Sequence, residues 1–198
     1  MIKFINTSQE IPYQILKDNY KKAKDANQKN IEAVCIASYS DYNKEVNSRF
    51  VNLKIIDKKE FIFFSNYRSL KSQDFQSHEQ ISALFFWNSI DVQIRIKAKI
   101  NQTTSDYNQE YFSKRNIKKN ALAICSDQSK HIDSYEELEK KYNKCLENND
   151  LQKCPEYWGG FSFTPYYFEF WHGHKSRLNK REIYELVNND WIHSFLQA

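Results

Sequence analysis

The segment 92–100 alternates without a break. Val92, Ile94, Ile96, Ala98 and Ile100 lie on one side of an extended chain, and Gln93, Arg95, Lys97 and Lys99 on the other. A period of two held this long specifies a strand with one apolar face. Residues 81–87 supply its hairpin partner across Asn88 and Ser89. The same pattern recurs upstream. Residues 31–39 are apolar and partly β-branched, a cluster of turn formers follows at 41–44, and a second strand returns over 45–56. A turn at 57–59 precedes a third strand at 60–65, and segments 161–171, 181–187 and 191–195 read as strands near the end. Between them lie helical patterns. One covers 8–28, with Ser8 as a candidate cap and Ile11, Ile15, Leu16 and Tyr20 as its apolar stripe. Others cover 69–78, 104–114 with Thr104 or Ser105 as cap, and 134–148 with Asp133 or Ser134 as cap. Glu136 and Glu137 suit the positive first turn of the last helix.

Hairpin-connected strands with inserted helices predict a mostly β, α+β chain whose antiparallel strands close into a barrel more readily than they form a parallel α/β sheet. The chain has 198 residues, 40% of them hydrophobic, enough for one domain with a sizeable core. Residues 1–30 read as an N-terminal helical segment and 31–198 as the main domain. Phe61, Phe63, Phe85, Phe86, Phe161 and Phe163 are expected in the core.

Several function classes drop out. The glycines are Gly159, Gly160 and Gly173, so neither a G-x-G-x-x-G fingerprint nor a P-loop can be written. A nucleotide-like cofactor would have to be held by Arg, Lys, Ser and Gln side chains. Cys35, Cys125, Cys145 and Cys154 form no C-x-x-C pair and are expected to be buried spectators. His172 and His174 have no third ligand nearby, so no metal site is expected. His172, His174 and His193 are expected at the surface or in ordinary hydrogen bonds. The net charge of +4 is spread along the chain, with no Lys/Arg block resembling a nucleic-acid arm. No signal peptide or apolar span is visible, which makes the cytoplasm the expected location.

The sharpest signal lies near the C-terminus, in Tyr157-Trp158-Gly159-Gly160-Phe161, Glu169-Phe170-Trp171 and Arg177-Leu178-Asn179-Lys180-Arg181. An aromatic face beside guanidinium groups suits a planar, phosphorylated ligand, because guanidinium binds phosphate in bidentate fashion. In order and spacing these segments resemble the pyridoxamine 5'-phosphate oxidase family. Upstream, Arg49-Phe50-Val51-Asn52-Leu53-Lys54, Phe64-Ser65-Asn66, Ser69-Leu70-Lys71, Phe86-Trp87 with Gln93, Tyr111-Phe112-Ser113-Lys114-Arg115 and Ser126-Asp127-Gln128-Ser129 resemble further family segments.

The resemblance implies an FMN-binding antiparallel split β-barrel over residues 31–198, working as a homodimer with FMN between subunits. It places Arg49, Phe64, Ser65, Lys71, Gln93, Gln128, Ser129, Trp171 and Arg181 at FMN. It places Lys54, Tyr111, Arg115, Lys119, Arg177 and Asn179 at the substrate, with Arg177 and Asn179 as the catalytic pair. The implied reaction oxidises pyridoxine or pyridoxamine 5'-phosphate to pyridoxal 5'-phosphate, the flavin taking the hydride and O2 accepting the electrons. The chain also departs from the family pattern. Asn179 replaces His, Lys180 an acidic residue, Lys119 a Ser, Leu70 an Arg and Phe64 a Tyr. These departures leave open an FMN-dependent oxidase of the same fold acting on another ring substrate. A non-enzymatic alternative is a nucleic-acid-binding barrel with exposed aromatics. One spacing is awkward: Arg49 and Lys54 are five apart, so an unbroken strand would point them to opposite faces.

Overall fold

The computed structural model describes residues 1–198. In chain order its elements are β1 (Lys3–Ile5), α1 (Ile11–Asp25), β2 (Ala33–Ser40), β3 (Glu45–Asn52), β4 (Ile55–Asp57), β5 (Glu60–Asn66), α2 (Leu70–Ser77), β6 (Gln80–Trp87), β7 (Val92–Gln102), α3 (Ser105–Ser113), α4 (Ile117–Cys125), α5 (Tyr135–Asn148), β8 (Trp158–His172), β9 (Lys180–Val187) and β10 (Asp190–Leu196). The architecture is α+β, a ten-stranded mixed sheet with helices packed on it. No helix is long and apolar enough to cross a membrane.

The antiparallel barrel expected from the hairpins is corrected in two respects. β1 runs parallel to β4, with Lys3 opposite Ile55, so the sheet is mixed. The ladder β1-β4-β5-β8-β7-β6-β2-β3 also has two ends and does not close. The reason lies in β8, which is longer than either neighbour on one of its edges. β5 takes its first part, pairing Ser65 with Gly159, and β9 takes its last part, pairing Trp171 with Arg181. β7 runs along the other edge of β8 from His172 to Phe161. The sheet therefore forks at β8.

The alternation in β7 is realised in full, with Val92, Ile94, Ile96, Ala98 and Ile100 all buried. They join Phe61, Phe63, Phe85, Phe161, Phe163, Phe168 and Phe170 in one core cluster. Burying each such ring contributes about 1.5–3 kcal/mol. Phe86 is the exception among the expected core rings and is 55% exposed. It stands opposite Gln93, one residue out of phase with Phe85 and Ile94, and so faces outward. α1 covers the core with Tyr13, Leu16, Tyr20 and Ala23, a stripe rotated from the expected one; Ile11 is exposed. Ser8 accepts from the Glu10 N–H at 3.3 Å, just outside the helix, and Glu10 is the N-cap. Of the cysteines only Cys145 is buried, and the other three are half-buried free thiols.

Helix ends follow the expected chemistry. Thr104 accepts from the Tyr107 N–H and Ser134 from the Glu137 N–H. The strand read over 45–56 is in fact two. β3 pairs with β2 and β4 with β5 and β1, with the break at Leu53 and Lys54. The pair of glycines opening β8 has a packing cause. A Cβ on Gly159 would strike the Tyr67 hydroxyl and the Asn108 amide, and one on Gly160 would strike Thr103. The close approach lets Asn108 Oδ1 accept from the Gly160 N–H at 2.8 Å while the Tyr67 hydroxyl donates to the Gly160 carbonyl at 3.0 Å.

Candidate functional site

The residues singled out from the sequence separate into two groups. The first surrounds the junction of β5, α2 and α4. Here a cleft of about 440 Å³ is lined by Arg49, Leu70, Lys71, Asp74, Gln128 and Ser129, among others. A second cleft of about 310 Å³ is lined by Phe64, Ser65, Arg115, Lys119, Gln128 and Trp158 with four neighbours. Gln128 belongs to both.

In the first cleft the two cations differ in their surroundings. Arg49 is tied down: Nη1 donates to Ser38 Oγ at 2.7 Å, and Nη2 pairs with Asp74 Oδ2 at 3.2 Å. Asp74 and Ser38 are both buried, and Ser38 Oγ donates to Asp74 at 2.8 Å. Lys71 has hydroxyl partners in place of a carboxylate. Its Nζ donates to Ser65 Oγ at 2.9 Å and Ser69 Oγ at 3.1 Å. Burial, with Arg49 adding to it, pulls the Lys71 ammonium down to about 8. An ammonium desolvated beside another cation is a site that an anion would stabilise.

The second cleft carries an aromatic stack. Phe64 lies on Tyr111 with ring centroids 3.6 Å apart, and Trp158 lies beside the pair, 5.3 Å from Phe64 and 6.4 Å from Tyr111. Arg115 sits over the Trp158 ring at 4.8 Å, and its Nη1 donates to the Lys119 carbonyl at 2.9 Å and to buried Asn120 Oδ1 at 3.2 Å. Lys54 belongs to the same field. Burial pulls its ammonium below the ordinary value, and Lys119 and Arg115 act in the same direction against Glu32. Burial raises the Tyr111 phenol, which stays a neutral O–H donor. The break between β3 and β4 resolves the awkward spacing, since Arg49 lies on β3 and Lys54 in the break that follows it, in neighbouring clusters.

The second group lies elsewhere. Gln93, Trp171 and Arg181 form one cross-strand row over β7, β8 and β9. Arg177 and Asn179 stand in the loop between β8 and β9. Arg177 is exposed at φ 61°, and Asn179 Oδ1 accepts from the His174 N–H at 3.0 Å, so the amide shapes this loop. The two groups do not meet within one chain. Gly159, opposite Ser65, and Trp171 are separated along β8 by about 40 Å of strand at roughly 3.3 Å per residue. Arg49 and Trp171 also lie on different faces. Arg49 shares a row with Ile36, Ala83, Ile96 and Phe168, which point into the core. Trp171 is three residues from Phe168 and points to the opposite face.

Reading the sequence missed Asp74, Ser38 and Asn120, and quoted Glu169 only within a motif without a role; all four are buried polar residues that hold the site's arginines. A signal existed for Glu169, a carboxylate inside the apolar run Phe168-Glu169-Phe170-Trp171.

Taken together, the fold and the clefts define an α+β protein whose site gathers cationic, hydroxyl, amide and aromatic side chains. The fold is shared with PhzG from Burkholderia lata 383, solved in complex with tetrahydrophenazine-1-carboxylic acid. That likeness has a TM-score of 0.89 at 24% identity and covers 94% of this chain and 92% of that one. A pyridoxamine 5'-phosphate oxidase-related, FMN binding protein from Nostoc punctiforme matches with a TM-score of 0.79 at 10% identity, over 96% of this chain and all of that one. Residues 21–148 match the family model of pyridoxamine 5'-phosphate oxidase, and residues 158–198 that of the pyridoxine 5'-phosphate oxidase C-terminal dimerisation region. The pyridoxine/pyridoxamine 5'-phosphate oxidase of Cytophaga hutchinsonii is 38% identical over 158 residues, 78% of this chain and 73% of that protein. A pyridoxine/pyridoxamine 5'-phosphate oxidase of Hydrogenovibrio crunogenus is 33% identical over 181 residues, 90% of this chain and 83% of that protein. The chain belongs to the pyridoxamine 5'-phosphate oxidase family.

Proposed function

We propose that this chain is an FMN-dependent oxidase of pyridoxine or pyridoxamine 5'-phosphate, with O2 as electron acceptor and pyridoxal 5'-phosphate as product. The observation that carries the reading is the pair of adjoining clefts that share Gln128, each with its own cations. The reaction needs two phosphate esters bound side by side without a glycine loop. The donor set fits the FMN phosphate: Lys71, Gln128, Ser129 and Arg49 offer an ammonium, an amide, a hydroxyl and a guanidinium around the first cleft, and Ser65, which accepts from Lys71, adds a hydroxyl from the second. Lys54, Tyr111, Arg115 and Lys119 offer the same chemistry to the substrate phosphate. When bound, FMN supplies the hydride-accepting ring; the protein's share is to bind, orient and shield. The aromatic stack on Arg115 keeps that guanidinium in place, and Arg49 is kept in place by Asp74 and Ser38.

The active form in this reading is a homodimer. Trp171, Gln93 and Arg181 would meet FMN seated on the clefts of the partner chain, because the strand path and the opposed faces keep them from the clefts of their own. Light scattering of the FMN-loaded protein is expected to give twice the chain mass, and a stable FMN-loaded monomer would refute this arrangement. The function itself is tested by incubating the FMN-loaded protein with pyridoxine 5'-phosphate in air. The expected result is pyridoxal 5'-phosphate and H2O2 in equal amounts. An FMN-loaded protein that forms neither supports the second reading, an oxidase acting on a different ring substrate. Two observations favour that reading: Asn179 spends its side-chain oxygen on the loop backbone, and Lys119 adds a cation to the substrate cleft.

A further inference from the structure

Glu169 is one of two buried carboxylates in the chain, Asp74 being the other. It stands on β8 between Phe168 and Phe170, whose rings fill the core, and points with Trp171 to the opposite face. A carboxylate removed from water at such a place is costly unless it is paired and hydrogen-bonded. Glu169 is paired on every side. Arg95, its register partner on β7, binds Oε2, and the Tyr167 hydroxyl donates to the same oxygen at 3.0 Å. Arg181 Nε donates to Oε1 at 2.9 Å, and Arg181 Nη2 lies 2.9 Å from it. Burial alone would raise the Glu169 carboxyl, but the bonds from Arg181, Arg95 and Tyr167 outweigh it and hold the group below the usual carboxylate range.

The direction of the Arg181 pair matters. Arg181 is the register partner of Trp171, not of Glu169, so its side chain reaches one row along the sheet to the carboxylate. Arg181 Nη1 also donates to the Gln197 carbonyl at 3.1 Å, which pins the fork from its other end. N–H groups on Nη1 and Nη2 remain for a ligand. Without the carboxylate, Arg95 and Arg181 would face each other as like charges, and Arg181 would regain its rotamer freedom. We infer that Glu169 is a positioning residue that fixes the Arg181 guanidinium beside Trp171, in the orientation in which the pair meets FMN on the partner chain. This role rests on the FMN reading above.

FMN affinity, read by quenching of flavin fluorescence, tests it without recourse to turnover. Wild type, Glu169→Gln, Arg181→Met and the double variant are titrated as full-length proteins. The expected result is a wild type that binds FMN, a Glu169→Gln variant about tenfold weaker, and a double variant no weaker than Arg181→Met alone. That lack of additivity is the signature of a residue acting through Arg181. Wild-type affinity in Glu169→Gln would overturn the role, as would losses that simply add. If Glu169→Gln gives no cooperative melt, Glu169→Asp takes its place. It keeps the charge beside Arg95 but withdraws the carboxylate from Arg181, and the same loss is expected; full affinity overturns the role. A folded wild type that does not bind FMN at all would instead overturn the FMN reading, and the role of Glu169 with it.

Discussion

Lys71→Met is expected to raise the Kd for FMN by roughly ten- to a hundredfold, with little change in thermal stability. A charge-assisted hydrogen bond is worth about 1.5–3 kcal/mol, and about 1.4 kcal/mol corresponds to a decade of affinity. Methionine preserves the apolar stem that packs in the cleft and removes only the charge. No carboxylate pairs with Lys71; its partners are the Ser65 and Ser69 hydroxyls. The folded protein therefore loses little when the ammonium goes, and the cost falls on the ligand. Arg49 is the opposite case. Removing it would strand Asp74, which is buried, so Arg49→Ala should damage stability as well as binding.

The pH dependence of FMN binding gives the same prediction a sign. Burial and Arg49 hold the Lys71 ammonium at about 8 in the free protein. A bound phosphate favours the ammonium and raises that value, so binding takes up a proton when the free site is deprotonated. Affinity should hold steady below about pH 8 and fall as pH rises through it. On the acid side, affinity should fall as the phosphate loses its second charge near pH 6. Isothermal titration from neutral pH to well above the Lys71 value should show the alkaline fall in wild type and its absence in Lys71→Met. A fall of equal size in both proteins would remove Lys71 from the phosphate site.

Local chemistry was legible where it repeats or caps. The unbroken alternation in β7 could be read directly and each of the Thr104 and Ser134 caps narrowed to two neighbours, because strand pleat and helix ends impose their residues locally. β1 could not, since a three-residue strand paired in parallel to β4 leaves no periodicity. α4 was not read as a helix. It starts at an Asn116 cap right after α3 and buries little beyond Asn120 and Ala121. The split between β3 and β4 was hidden because both halves are extended, and only pairing partners distinguish them. In the site, motif order named the cationic residues, but not the division of those residues between two faces of the sheet. That division follows from strand parity across β2, β6, β7 and β8, which needs the registers. The buried acids behind the arginines, Asp74 and Glu169, are contacts over long sequence separations; Asp74 carries no motif, and the Glu169-Phe170-Trp171 segment does not say which arginines its carboxylate holds.

Arg177→Ala is expected to lower kcat/KM for pyridoxine 5'-phosphate by more than about tenfold, one decade for roughly 1.4 kcal/mol of lost transition-state stabilisation. FMN affinity should stay within about twofold of wild type, since Arg177 stands in the loop outside the Gln93, Trp171 and Arg181 row. The residue is exposed and makes its recorded bond through the backbone, its N–H donating to the His174 carbonyl at 2.8 Å. Its guanidinium is therefore free for a ligand. Its left-handed backbone, at φ 61°, costs roughly 1–2 kcal/mol relative to glycine for arginine and alanine alike, so Arg177→Ala removes the side chain and leaves that cost in place. Arg177→Gly separates the causes. It relieves the backbone and removes the guanidinium, so equal losses in the two variants assign the effect to the charge, and a glycine variant with wild-type turnover assigns it to loop shape. Asn179→His should leave turnover intact or raise it. An imidazole Nδ1 occupies nearly the place of the amide Oδ1 and can accept the same His174 N–H, while Nε2 reaches further toward the substrate. Loss of all turnover in Asn179→His, together with an unaffected Arg177→Ala, would mean that this loop meets a different ring. The second substrate reading would then replace the first.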